Sequence, residues 1–572
     1  MSETEQSPLN DAVRDAQRFV QWGVHNLINW QRSQNTDPID FIQFNLAPSL
    51  PALPLPSNPI LDRIRGKPPL SLTEIERAFE RIAMDKRPQG VILYMQGADM
   101  PLADLQTLRA SIARLRQKGK RVVVYAKYYD LRMYYVASAA DTILLQPGSL
   151  LMTTGLLTQQ VYLKEGLNEI GVEADVVAIS PFKSAGDQFS RTEPSDEVKA
   201  QTNWLLDSFY DQMIEGIAQG RGISADDARA MIDSAPHNDR EALEAGFIDG
   251  ITNEEGFGST LHAEHIVLWD KADGLLLEKW ADLSGKYVAV LQLEGSIVDG
   301  ESMNPPIDIP IPLFGGERIG DLTVVQQVRQ LMNDDRAAAV VLYINSPGGS
   351  ATSSEAIASA LDELAKTRPV VVCMNGVAAS GGYYISTPAD HIVAQPGTIT
   401  GSIGVINLKL ITNETLKKLK LNPYYYMRGE NAGILAPIEP FSESQREKVR
   451  DSITRIYNVF LDRVAAARKM KADDVDAVGG GRVWTGQQAY EHGLVDTLGG
   501  LYEAINKARE LARLGEDIPA ILVRKPIRKP LPAQLAEQAD PAAALRYWVE
   551  GVEMLGGARN LMLMPYDITL RG

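Results

Sequence analysis

Ser380 stands in Asn375-Gly-Val-Ala-Ala-Ser380-Gly-Gly-Tyr-Tyr, with small residues on both sides. Acyl transfer by a serine needs a hydroxyl on a tight turn, N–H donors for the oxyanion and a base. Ala378, Ala379, Gly381 and Gly382 let a substrate backbone come close. The Tyr-Tyr-Ile-Ser that follows reads as helix, so the Gly381 amide would sit where a developing negative charge is favoured. A second glycine turn, Asn345-Ser-Pro-Gly-Gly349, also ends an apolar run and opens a helical one, which makes the Gly349 amide the candidate second donor.

The elements that must carry these turns alternate apolar runs with helical patterns, as in a parallel α/β sheet with crossover helices. Tyr287–Leu293, Ala339–Ile344 and Pro369–Met374 read as strands, and Val324–Met332 and Ser353–Lys366 as helices. A strand at His391–Ala394 and a long helix from Ser442 to Lys469 follow. Both glycine turns then lie at carboxyl ends of strands, where such sheets bind ligands.

A degenerate copy of this pattern lies 249 residues upstream: Leu93-Tyr94 matches Leu342-Tyr343, Tyr134-Tyr135 matches Tyr383-Tyr384, and Gln146-Pro-Gly148 matches Gln395-Pro-Gly397. Farther on the offset is 247, with Arg221 against Arg468 and Asp249 against Asp496. The chain is a tandem duplication. In the first copy Gln96–Met100 replace Asn345–Gly349, and Leu131, Arg132 and Met133 replace Ser380, Gly381 and Gly382, so the nucleophile is lost there. The expected organisation is a helix and linker over 1–39, a first repeat over 40–280, a second over 281–515 and a proline-rich basic tail over 516–572.

Asn345-Ser-Pro-Gly-Gly with Ala378-Ala-Ser-Gly-Gly resembles the Clp protease and enoyl-CoA hydratase (crotonase-like) superfamily. Gly401-Ser-Ile-Gly404, Arg482-Val-Trp-Thr-Gly486 and Gly493-Leu-Val-Asp496 make the chain similar to the long, duplicated form of the signal peptide peptidase A family, from about residue 40 to 515. That resemblance implies two tandem Clp/crotonase-like repeats and a Ser/Lys dyad in place of a histidine triad. Ser180-Pro-Phe-Lys183-Ser-Ala-Gly in the first repeat matches the family's lysine segment, which makes Lys183 the implied base for Ser380, and Ser402 matches its lysine-orienting serine. A lysine acts as a base only when neutral, so its ordinary pKa of about 10.4 would have to fall through burial away from carboxylates. Ile179, Pro181 and Phe182 offer apolar surroundings. The resemblance also implies extended peptide substrates, such as remnant signal peptides, and a homotetramer. Where Clp proteases carry a histidine after the serine, this chain reads Gly401-Ser-Ile-Gly-Val-Ile-Asn, and His391 reads as structural.

A net charge of −16 argues against a nucleic-acid partner. The single cysteine, Cys373, cannot form an intramolecular disulfide. No P-loop and no Cys/His metal signature occur, so no cofactor and no ATP requirement are expected. Met1-Ser-Glu-Thr-Glu lacks the basic start of a signal peptide, and no run approaches the roughly 18 apolar residues of a membrane span. A cytoplasmic location is expected. Residues 10–32 read as an amphipathic helix with Val13, Ala16, Val20, Val24 and Leu27 in one stripe, suited to peripheral membrane contact or to docking on protein. The proline-punctuated loop 303–316 would line a groove or a subunit contact, and Arg524, Lys525, Arg528 and Lys529 read as a solvated linker. Two other readings fit the same residues: acyl-CoA hydratase or hydrolase chemistry on the crotonase-like fold, and a non-catalytic oligomeric scaffold.

Overall fold

Continuous apolar runs buried on both faces make the central strands, as a parallel sheet covered by helices requires. The computed structural model describes residues 20–56 except 21 and 25, then 66–278, 285–303, 316–523 and 559–564. The first repeat builds β1 (Phe41–Leu46), β2 (Gly90–Met95), α1 (Leu102–Gln117), β3 (Arg121–Ala126), β4 (Thr142–Leu145), β5 (Glu173–Ala178), α2 (Asp196–Arg221), β6 (Gly250–Ile251) and β7 (Ile266–Leu268). Its parallel sheet runs β7-β1-β2-β3-β4-β6.

The second repeat contributes β8 (Tyr287–Glu294), β9 (Ala337–Ser346), β10 (Gly348–Ser350), α3 (Ala351–Ala365), β11 (Val370–Ala379), β12 (His391–Ala394), β13 (Ile399–Gly401), β14 (Ile406–Ile411), α4 (Glu443–Arg468), β15 (Val483–Thr485), α5 (Leu501–Leu511) and β16 (Ala520–Val523). Its main sheet runs β15-β13-β11-β9-β8-β16, with β12 beside β11. The register between β9 and β11 breaks between Ile344 and Ser346, where the two strands part and the glycine turns begin. The duplication is visible in α2 and α4, each of 26 residues and related by the 247 offset.

The repeats interlock. β5 leaves the first repeat and pairs antiparallel with β14 of the second, from Ala178↔Ile406 to Glu173↔Ile411. Asp175 anchors it, accepting from Phe441 N at 2.8 Å and pairing with Arg446 at 2.6 Å. The spatial boundary between repeats therefore differs from the sequence boundary.

The tail expected over 516–572 is in part a folded element. Ala520–Val523 extends the main sheet beside β8, and β17 (Arg559–Leu563) sits between β10 and β14. Prolines and basic residues crowd 519–532 and draw attention away from two short apolar runs that complete strand edges. Arg524, Lys525, Arg528 and Lys529, and loop residues 304–315, lie outside the described residues.

The described part of the N-terminal helix docks through Asn29, whose side chain exchanges hydrogen bonds with the Glu278 backbone, and through Arg32, which pairs with Glu278. Val20, Val24, Leu27 and Trp30 face solvent, whereas Val13 and Ala16 lie outside the described residues. No helix among the described residues is long and apolar enough to cross a membrane.

Candidate active site

Ser380 ends β11 and opens the turn Gly381–Tyr384, with φ +55° and ψ −112°. Such a conformation is strained for a serine and persists only because its surroundings hold it. Its N–H donates to Gly401 O at 2.8 Å, and Tyr384 N donates back to Ser380 O at 2.8 Å.

Lys183 arrives from the first repeat. Five residues beyond β5, its Nζ lies 2.7 Å from Ser380 Oγ, 2.8 Å from Ser402 Oγ and 2.8 Å from Ser402 O. Ser402 O can only accept, so the amine donates there. A neutral amine has two N–H donors and one lone pair, and this triangle suits it: donors to Ser402, lone pair toward the Ser380 hydroxyl. Burial holds the Lys183 pKa well below its ordinary value, and no charged neighbour contributes to that shift.

The loop is held by several contacts. Ile179 N donates to Val405 O at 3.1 Å, Ser180 Oγ donates to Gly480 O, and the Arg482 guanidinium lies 4.3 Å over the Phe182 ring. Phe182 continues into a row with Trp204 and Trp484, at centroid distances of 5.9 and 5.1 Å. Pro181 is exposed and Phe182 packs on Arg482 and Trp204, while glycines of the second repeat approach Lys183: a Cβ on Gly404 would lie 3.2 Å from its Cδ.

Gly349 and Gly381 come together as expected. A Cβ on Gly381 would lie 3.2 Å from Gly349 N and 2.7 Å from Ser354 Oγ, so only glycine lets the two turns meet. Gly349 itself takes φ +155°.

Composition alone passed over Gly481, whose significance is spatial. Its φ is +87°, and a Cβ there would stand 2.5 Å from Lys183 Cα and Cβ and 2.6 Å from its N. The run Gly479-Gly-Gly481 was a readable signal of close backbone approach, but the sequence does not name what approaches.

His391 hydrogen-bonds Thr497 Oγ1 at 2.8 Å, a structural contact between strand ends. In the first repeat, fully buried Leu131 stands at the position matched to Ser380 and Arg132 hydrogen-bonds Met100 O.

The sequence pattern of peptidase family S49 matches residues 114–265 and 362–515, and that of Clp protease matches 318–394. The S49 pattern covers more than half of the chain and does so once in each repeat. The chain belongs to peptidase family S49. Among its relatives, Serine protease SPPA, chloroplastic, of Arabidopsis thaliana is 29% identical over 514 residues, covering 88% of this chain and 73% of that protein. Protease 4 of Haemophilus influenzae is 30% identical over 470 residues, covering 78% and 74%. Protease 4 of Salmonella typhi is 31% identical over 468 residues, covering 78% and 72%. As an S49 serine protease, the chain carries the duplicated S49 domain that its 249-residue offset announces.

Proposed function

We propose that this S49 protease is an endopeptidase working through a Ser380/Lys183 dyad, one member from each repeat, on extended peptides such as remnant signal peptides. The observation that carries the reading is the 2.7 Å contact between Lys183 Nζ and Ser380 Oγ. Lys183 takes the Ser380 proton as Oγ attacks the carbonyl carbon, the Gly349 and Gly381 amides stabilise the oxyanion, and the proton passes to the leaving nitrogen. Water then releases the acyl group, with Lys183 as base. Ser402 orients the amine through its two acceptors. None of these steps consumes ATP.

Two measurements test this. A fluorophosphonate should label Ser380, and Lys183→Ala should suppress labelling. Because burial lowers the Lys183 pKa, kcat/KM for an apolar peptide ester should rise with pH as the ammonium loses its proton. A rising limb that survives in Lys183→Ala and disappears in His391→Asn would assign the base to histidine instead.

Self-association into a homotetramer belongs to the same reading. By the offset, β14 corresponds to 157–162 and β5 to a segment near 420–427, so the pair made once within a chain has a counterpart available between copies. Tyr424 and Tyr426 are 83% and 92% exposed, and Leu157 and Val161 65% and 59%. Exposed apolar surface of this kind marks an interaction site. Light scattering should give four chains for the wild type and fewer for Tyr426→Lys with Val161→Lys; an unchanged mass would remove this pairing.

A further inference from the structure

β17 occupies the place where a peptide would have to lie. It runs antiparallel between two strands of the site, with Gly348↔Leu563, Gly349↔Met562 and Ser350↔Leu561 on one side and Ile406↔Leu561 and Asn407↔Asn560 on the other. Met564 N donates to Pro347 O at 2.8 Å, which fixes the phase of the ladder. Bonded and non-bonded pairs alternate in an antiparallel ladder. The 347/564 pair is bonded, 348/563 is not, and 349/562 is bonded again, so the Gly349 N–H donates to the Met562 carbonyl.

The second amide lies on the same side of Gly348 as that oxygen. A Cβ on Gly348 would collide with Met562 O and lie 2.7 Å from Gly381 N. The Met562 carbonyl thus accepts from the Gly349 amide and lies on the side of Gly348 that also faces the Gly381 amide. With the strand in place Ser380 and Lys183 are 0% and 1% exposed, so no external peptide reaches them without displacing it.

The side chains fit this placement. Met562 joins the main apolar core of the second repeat, while Leu561 and Leu563 join a separate cluster with Ala185, Phe189, Ile406 and Leu408. Alternate residues thus fill apolar sites on opposite faces, which is how an added strand is read.

We propose that β17 is a tethered substrate: the groove between β10 and β14 binds apolar peptides by strand addition, and Ser380 cuts the chain's own Met562–Leu563 bond. This rests on the Ser380/Lys183 reading. Ser380 Oγ bonds to the Met562 carbonyl carbon, and Lys183 carries the hydroxyl proton to the Leu563 nitrogen. The C–N bond breaks, and the segment from Leu563 onward leaves with a free amine. Water hydrolyses the ester, returning Ser380 and leaving a carboxylate on Met562. Until then the strand competes with peptides in solution.

The test follows the full chain by intact mass after purification, beside Ser380→Ala. The wild type should acquire a C-terminus at Met562, at a rate per molecule unchanged by tenfold dilution, and Ser380→Ala should stay whole. Leu561→Asp, which places a charge in the apolar cluster, should slow self-cleavage severalfold and raise initial kcat/KM for an apolar peptide ester severalfold. A wild type that hydrolyses the ester and takes the fluorophosphonate at Ser380 yet keeps its C-terminus overturns this proposal alone. So does cleavage at another bond within 559–564, or a Leu561→Asp variant unchanged in both rates. Loss of ester hydrolysis and labelling together overturns the dyad reading, and this proposal with it.

Discussion

Lys183→Ala is expected to lower kcat for peptide hydrolysis by about 10⁴-fold, to the level of Ser380→Ala, with the double variant no worse than either single one. In the proposed dyad the two groups act as one unit: without the amine no base would accept the Ser380 proton, since Ser402 is the other polar partner of Lys183 and His391 is engaged with Thr497. Single-turnover assays on an activated ester would measure it. Additive losses, or a Lys183→Ala variant within tenfold of wild type, would rule out the dyad.

The same lysine should cost stability. Its folded pKa lies below the unfolded one, so the folded state holds fewer protons, and stability from this group rises with pH until the unfolded lysine also deprotonates near about 10.4. At neutral pH a penalty is present, because the unfolded lysine still binds a proton there. Lys183→Met should therefore be inactive yet more heat-stable at pH 7, by roughly 2–4 °C for each kcal/mol recovered, with the difference shrinking toward pH 10. A Tm that falls in Lys183→Met would mean that the triangle with Ser380 and Ser402 outweighs burial.

Gly481→Ala should lower kcat by about 10²-fold although it touches neither substrate nor Ser380, because displacing a positioned base by about 1 Å costs that much. The added methyl would stand 2.5 Å from Lys183 Cα and Cβ, and Gly481 cannot retreat easily while its N–H donates to Ile403 O at 2.7 Å. Gly222→Ala is the control: Gly222 has the same left-handed backbone, with φ +68°, and open space where a Cβ would stand. It should lose some stability and keep its kcat. Equal effects of the two substitutions would assign the loss to backbone strain rather than to the lysine.

Much of the fold was legible because its signals are local. β9 and β11 are apolar runs that end at glycine turns, and the Ser442–Lys469 helix announces itself by a Ser442/Gln445 capping box and its periodicity. β17 was not legible: five residues near the far end of the tail carry no strand signal until two strand edges stand beside them. The N-terminal stripe was legible as a pattern, but which side docks depended on Asn29 meeting Glu278.

By itself the sequence determined the duplication, the parallel α/β repeats, the candidate serine and the two glycine turns, because each is written in neighbouring residues or in one constant offset. Lys183 could be singled out only by resemblance, since nothing near it in the chain distinguishes it from a surface lysine. Only the tertiary structure decided that it meets Ser380 across 197 residues, that it does so fully buried with no charged group contributing to its shift, and that a strand from the tail lies over both. A base is made by desolvation and by distance, and both are properties of packing between segments that the chain keeps far apart.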